Sequence, residues 1–247
     1  MKVAKGVEML ELSMNMGGQS MDIHPVVIWD DTDVILIDTG MPGHLDAIRE
    51  EMTQAGVPFE KLNKTILTHQ DIDHIGSLPA LLKQSSQHIE VYAHKEDEPY
   101  IQGEKALIKF DPEQMIKRFE SLPEEEQRQA HELFSEAPKA HVDTILEGGD
   151  VLPFCGGITI INTPGHTPGH ISLYLNKSKT LIAGDAFVSE NGKVIGPSAA
   201  LTPDMDTAVQ SLKQLVNFDV ESIVCYHGGI CNDNANEQLK ELAHKSF

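Results

Sequence analysis

Positive charge is scarce in this chain. Its 19 lysines and arginines face 38 aspartates and glutamates, for a formal net charge of −19. Such a balance argues against a nucleic-acid backbone or an anionic membrane as partner, and leaves a small molecule as the expected one. Cysteine is scarce as well. Cys155, Cys225 and Cys231 form an odd set with no framework spacing, which reads as reduced, mostly buried thiols. No apolar run nears the roughly eighteen residues of a membrane span, and Met1-Lys2-Val3-Ala4-Lys5 opens no signal peptide, so a cytoplasmic protein is expected. Apolar content is ordinary at 40%, and 247 residues can bury a sizeable core, read here as a single domain, 1–247.

Hydrophobic patterning alternates strand and helix. Val26-Val27-Ile28-Trp29 and Val34-Ile35-Leu36-Ile37 flank the turn-rich Asp30-Asp31-Thr32-Asp33, predicting a hairpin. Leu45, Ile48 and Met52 give helical spacing over 44–55. A strand at Thr65-Ile66-Leu67 leads into a helix over 75–84 and a strand over 89–93. Residues 95–138 are charged, with helical periodicity and little strand propensity, and read as a helical insertion. Strands are expected at 144–146, 158–161, 172–175, 180–183 and 222–226. A helix with Thr202 as its N-cap follows the fourth of these, and another covers 234–244. The segment 13–23 reads as a loop near any site; its methionines either line an apolar pocket or form a plain turn.

The chemistry concentrates at strand ends. His69, Asp71, Asp73 and His74 crowd into six residues after an apolar strand. Carboxylates and imidazoles so close repel or compete unless a cation sits among them, so a solvated polar turn is the weaker reading. The same device recurs. Thr163-Pro164-Gly165-His166-Thr167-Pro168-Gly169-His170 presents two histidines from a stiff loop, Asp185 follows the run Leu181-Ile182-Ala183-Gly184, and His227 follows Tyr226. Each alone is weak, because a lone histidine after a strand is usually an ordinary one. A strand also ends at Asp38, and the pairing of Asp38 with Asp185 and of His69 with His227 suggests two similar halves facing each other across one rim.

In this order, His69-Gln70-Asp71-Ile72-Asp73-His74, His166, Asp185 and His227 resemble the motifs of the metallo-β-lactamase superfamily, over about residues 26–231. The resemblance implies an α/β fold, a four-layer αββα sandwich, with the segment 95–138 inserted. It implies two divalent metal ions, zinc first, with manganese or iron as alternatives. His69, Asp71 and His166 would hold one ion, Asp73, His74 and His227 the other, and Asp185 would bridge them. Asp38 would orient a ligand, His170 would support a ligand or face the substrate, and Asp73 would be catalytic, orienting a hydroxide and passing its proton to the leaving group.

The chain departs from the family pattern at one place. The motif normally reads H-x-H-x-D-H, and here its second position is Asp71. Three carboxylates and a hydroxide would cancel the charge of two divalent ions, which predicts a weaker Lewis acid at the first site and favours manganese or iron more than usual. Alternatively Asp71 simply replaces the histidine, or points away. The loop around His166 and His170 resembles lactonase-like and glyoxalase-II-like members, so cleavage of an ester, lactone or thioester is expected. Only a short tail follows His227, without the helical substrate domain of glyoxalase II; the insertion would instead roof the site and shape an apolar pocket. The alternatives are a mononuclear iron persulfide dioxygenase, a phosphodiesterase and a non-catalytic binding protein. β-Lactam and nucleic-acid cleavage fit poorly, lacking an export signal and a basic surface respectively.

Overall fold

Two sheets stack face to face, and the apolar runs of the sequence explain why. The structure, a computed structural model, describes residues 1–16 and 19–245, with only the backbone described at 14–16 and 19–21. The first sheet orders its strands as Lys2–Ala4, Val7–Met9, Val26–Trp29, Val34–Ile37, Lys64–Ile66, Glu90–His94 and Thr144–Leu146. The second orders Val151–Leu152, Ile158–Asn162, Ile171–Leu175, Thr180–Ile182, Ser222–Cys225 and Gly229–Cys231. Val34–Ile37 is buried along its whole length, as expected of a strand covered on both faces. Ile28, Ile35, Ile37 and Ile66 of one sheet meet Ile160, Leu173, Ile182 and Val224 of the other in a shared core.

Helices cover the two outer faces, completing the four layers. Leu45–Gln54 buries Leu45, Ile48 and Met52 against the first sheet. Met205–Leu215 and Ala235–His244 lay Leu212, Leu215, Leu239 and Leu242 on the second. The segment 95–138 carries the helices Glu98–Ile101, Pro112–Lys117 and Glu124–Phe134, and Ala130 and Phe134 join the outer core of the first sheet. This segment is the crossover that sets Thr144–Leu146 parallel to Glu90–His94.

Strand direction is what builds the rim. Val34–Ile37, Lys64–Ile66 and Glu90–His94 run parallel, and in the facing sheet so do Thr180–Ile182 and Ser222–Cys225. Their carboxyl ends open together, the place where α/β sheets leave a crevice. Backbone bonds between the sheets, Ile171 N to Thr68 O at 3.0 Å and His24 N to Tyr226 O at 3.0 Å, tie this edge.

Several local expectations change. The expected helix over 75–84 is two pieces, Ile72–Ile75 and Leu78–Gln84. Between them Gly76 lies so close to Pro42 that a Cβ would come within 2.3 Å of it, and Ser77 spends its hydroxyl on Met41 O at 2.6 Å. The expected N-cap Thr202 is displaced by Asp204, whose carboxylate accepts the N–H of Thr207 at 3.0 Å. The expected loop 13–23 is mostly strand: Leu12–Met16 pairs antiparallel with Gln19–Ile23. Whether its methionines line a pocket lies outside the described residues.

Candidate metal centre

The acids and imidazoles singled out in the sequence converge where the parallel strands end. Asp38 follows Val34–Ile37, His69 follows Lys64–Ile66, and Asp73 and His74 sit on the helical turn Ile72–Ile75. His166 and His170 come from the loop before Ile171–Leu175, Asp185 follows Thr180–Ile182, and His227 follows Ser222–Cys225. Gly184 allows the approach of Asp185. Its φ is +54°, and a Cβ there would lie 2.7 Å from His170 Nε2.

The side chains form overlapping groups that could each hold a cation: His69 with Asp71 and His166, His69 with His74 and Asp185, and Asp73 with His74 and His227. Around the first, His69 Nε2 lies 3.3 Å and His166 Nε2 2.9 Å from Asp71 Oδ2. Around the last, His227 Nε2 lies 3.2 Å from Asp73 Oδ2 and 3.3 Å from Asp185 Oδ2, and His74 Nε2 lies 3.4 Å from Asp185 Oδ1. Ligands bonded to one tetrahedral zinc at about 2.0–2.1 Å stand roughly 3.3–3.4 Å apart, so the spacings around Asp73, His74, Asp185 and His227 fit a metal ion, whereas the His166–Asp71 approach is shorter than two ligands of one zinc would make. The unpartnered atoms agree. His69 Nε2, His74 Nε2, Asp71 Oδ1 and Asp185 Oδ1 are buried without a hydrogen-bond partner, a cost that a cation removes.

Charge points the same way. Burial disfavours ionised Asp185, yet the imidazoles of His227 and His74 hold it well below the usual carboxylate range. Burial likewise opposes a charged His74, but Asp38, Asp73 and Asp185 outweigh it and push the imidazole well above its ordinary value. His227 is driven up to about 10, with Asp185 and Asp73 again overcoming burial. The carboxylates of Asp38, Asp73 and Asp185 thus draw positive charge into the rim, as protons on imidazole or as a metal in their place.

Hydrogen bonds behind the cluster aim its lone pairs. Asp38 Oδ2 accepts from His74 Nδ1 at 2.9 Å, and Asp38 also accepts from Thr68 N at 2.8 Å and Thr68 Oγ1 at 2.7 Å. The Thr68 hydroxyl, its own proton given to Asp38, accepts from His69 Nδ1 at 3.1 Å. His69 and His74 therefore both present Nε2 to the site. His170 is support and not a substrate contact, since it is 1% exposed. Its Nε2 accepts the Asp185 N–H at 2.8 Å, so Nδ1 carries the proton and donates to Thr163 Oγ1 at 2.8 Å. Burial, with the nearby His69 and His166, keeps its pKa well below the ordinary value, which preserves that accepting nitrogen.

Three residues at the site carried no functional expectation from the sequence. Asp97, fully buried, accepts from Gln70 N at 3.0 Å, Thr167 Oγ1 at 2.7 Å and Gly169 N at 2.8 Å, and so ties the His69 loop to the His166 loop. Tyr226 stacks on His74 with centroids 3.7 Å apart and donates its hydroxyl to Asp73 O at 2.5 Å. Lys109, from the segment 95–138, places Nζ 2.5 Å from Asp71 Oδ2 and 2.6 Å from His166 Nε2. An acid in a charged stretch, a tyrosine just past a strand and a lysine in a polar segment have no local signature. Cys225 is fully buried in the outer core of the second sheet, and burial raises its thiol pKa, so it is inert there.

A cleft of about 660 Å³ opens on the cluster, and Asp71, Asp73, His166, Asp185 and His227 line it. Leu107, Phe110, Met115, Phe119 and Phe134 of the segment 95–138 line the same cleft. None of the described helices is long and apolar enough to cross a membrane.

Comparison with known proteins places this arrangement. The sequence model of the metallo-beta-lactamase superfamily matches residues 22–227. The probable metallo-hydrolase YflN of Bacillus subtilis is 32% identical over 85% of this chain and 81% of its own length. The hydroxyacylglutathione hydrolase GloC of Haemophilus influenzae is 26% identical over 82% and 84% respectively. Among solved structures, the metallo-beta-lactamase family protein TTHA1429 of Thermus thermophilus superposes with a TM-score of 0.70 at 21% identity, over 97% of this chain and 79% of that one. Fold, family model and relatives agree, and the chain belongs to the metallo-β-lactamase superfamily.

Proposed function

We propose that the protein is a metal-dependent hydrolase that cleaves an ester, lactone or thioester with an apolar acyl arm. The observation that carries this is the convergence of Asp73, His74, Asp185 and His227 at metal-ligand spacing on the wall of an apolar cleft. A divalent ion held there, zinc in the first instance, supplies an acidified water and polarises the carbonyl. Asp73 is the proton carrier in this reading. Its carboxylate is held below the ordinary range because His74 and His227 outweigh burial, so it is ionised and free to accept a proton and pass it to the leaving group. The wall of Leu107, Phe110, Met115 and Phe119 excludes water and takes the acyl chain. Arg118 lines the same cleft and has no ion-pair partner among the described residues, which suits a substrate with an acidic tail. The GloC relative, by name a hydroxyacylglutathione hydrolase, supports the acyl class.

The test is purification without added metal, elemental analysis, and a screen of lactones, thioesters, esters and phosphodiesters. Hydrolysis of an acyl substrate that a chelator abolishes and zinc or manganese restores is the expected result. Activity unaffected by a chelator, or metal and activity fully retained in Asp185→Ala, would overturn the reading. Oxygen uptake with bound iron and no hydrolysis would move the protein to the dioxygenase class, and preference for phosphodiesters to a phosphodiesterase.

A further inference from the structure

The first cluster already contains a cation of the protein's own. Lys109 Nζ lies 2.5 Å from Asp71 Oδ2, 2.6 Å from His166 Nε2, 3.1 Å from His166 O and 3.2 Å from Leu201 O. A ring nitrogen that accepts from an ammonium cannot also donate to a carboxylate. The 2.9 Å approach of His166 Nε2 to Asp71 Oδ2 is then two acceptors drawn to one positive centre. An imidazole nitrogen has a single lone pair, and here it goes to the lysine. A metal ion needs the same lone pair.

The position of Lys109 is built. Leu107 and Phe110 on either side of it are buried in the outer core of the first sheet. Between them, Ile108 N donates to the side-chain oxygen of Gln70 at 2.9 Å. Gln70 stands between His69 and Asp71, and its own N–H is fixed by Asp97 at 3.0 Å. The lysine and the first cluster are therefore parts of one hydrogen-bonded unit. Its charge also matches the departure at position 71. An aspartate where the family has a histidine adds a negative charge, and the ammonium cancels it without a metal.

We propose that Lys109 is the resident cation of the first cluster, so that the protein takes up one metal ion, at Asp73, His74, Asp185 and His227, with the ammonium beside it. This rests on the hydrolase reading above. In that reaction the ammonium lines the same cleft as Asp73 and His227, where it can stabilise negative charge growing on the substrate's carbonyl oxygen, the task a first-site metal would otherwise perform.

The experiment is a metal count. Chelator-treated protein is titrated with Zn²⁺ alone by calorimetry, and bound zinc is measured after gel filtration. The wild type is expected to hold one ion per chain, and Lys109→Met and Lys109→Gln two. Cobalt loading gives a second readout: isolated high-spin ions in the wild type, and a spin-coupled pair in the variants. Two tightly held ions in the wild type, or one ion in both folded variants, overturns the proposal. The wild-type count alone decides if neither variant folds. Two ions together with acyl hydrolysis would remove only the role of Lys109, whereas no zinc in any form would remove the hydrolase reading as well.

Discussion

Asp38 holds His74 through a 2.9 Å hydrogen bond to Nδ1, from a left-handed backbone with φ +62°. That conformation is uncommon outside glycine and costs energy, roughly 1–3 kcal/mol, which the two Thr68 hydrogen bonds and burial help to offset. The strain is thus located where the imidazole is aimed. Asp38→Ala removes the aiming group and leaves a residue less tolerant of positive φ than aspartate. Zinc affinity, measured by competition with a coloured chelator, is expected to fall roughly 10–100-fold. Asp38→Asn tolerates the backbone and keeps one oxygen, so it should lose less. Equal affinity in the wild type and Asp38→Ala would show that His74 does not bind metal or needs no support.

The phenol of Tyr226 offers two separable contributions. Burial first, then the carboxylates of Asp38, Asp73 and Asp185, hold its pKa well above the ordinary value, so it stays a donor to Asp73 O. Tyr226→Phe removes that bond and keeps the ring on His74, and should cost about 0.5–1.5 kcal/mol in urea unfolding with metal content unchanged. Tyr226→Ala also removes the stack and opens a cavity, and should cost about 3–5 kcal/mol. Identical losses in the two variants would mean that the ring contributes nothing.

What the sequence reveals of this site depends on how far apart the partners lie. His69, Asp71, Asp73 and His74 stand out because metal chemistry demands particular residue types and six adjacent positions display them. The core strands stand out because Val34–Ile37 is apolar on both faces. Lys2–Ala4 and Val7–Met9 are too short to show a period, and exist because Val7–Met9 pairs with Val26–Trp29. The break at Gly76 is set by Pro42 on another loop. Asp97 acts on Gln70, 27 positions away, and Lys109 on His166, 57 away, and locally each resembles a solvated charge. The variant Asp71 is visible in sequence, but its partner is visible only in three dimensions.

Asp97 should matter as much as a ligand although it touches none of the proposed metal positions. Asp97→Ala strands the N–H groups of Gln70 and Gly169 and the hydroxyl of Thr167 in a buried place. Each unsatisfied group costs about 1–3 kcal/mol, so a loss of several kcal/mol in urea unfolding is expected. Asp97→Asn keeps the size and one accepting oxygen and should lose about half as much. Because the carboxylate joins the loops of His69 and His166, zinc affinity should fall in Asp97→Asn even where the protein remains folded. An unchanged affinity would confine Asp97 to stability.

The carboxylates of the rim set opposite pH responses for chelator-treated and zinc-loaded protein. The folded-state pKa of His227 is raised to about 10 by Asp185 and Asp73 against the opposing effect of burial. An unfolded histidine titrates near 6.5, so the folded protein holds this proton more tightly. Its contribution to stability is complete below about pH 6.5 and is lost as the pH rises through about 10. The melting temperature of chelator-treated protein should therefore fall across that window. Zinc takes the place of the proton, so its uptake must release one from His227, and the apparent affinity should rise by up to about tenfold per pH unit for each proton displaced. Calorimetric titrations at about pH 7.5, in buffers of different ionisation enthalpy, count those protons. Release of at least one is expected, and none would mean that His227 is neutral before zinc arrives or takes no part in holding it.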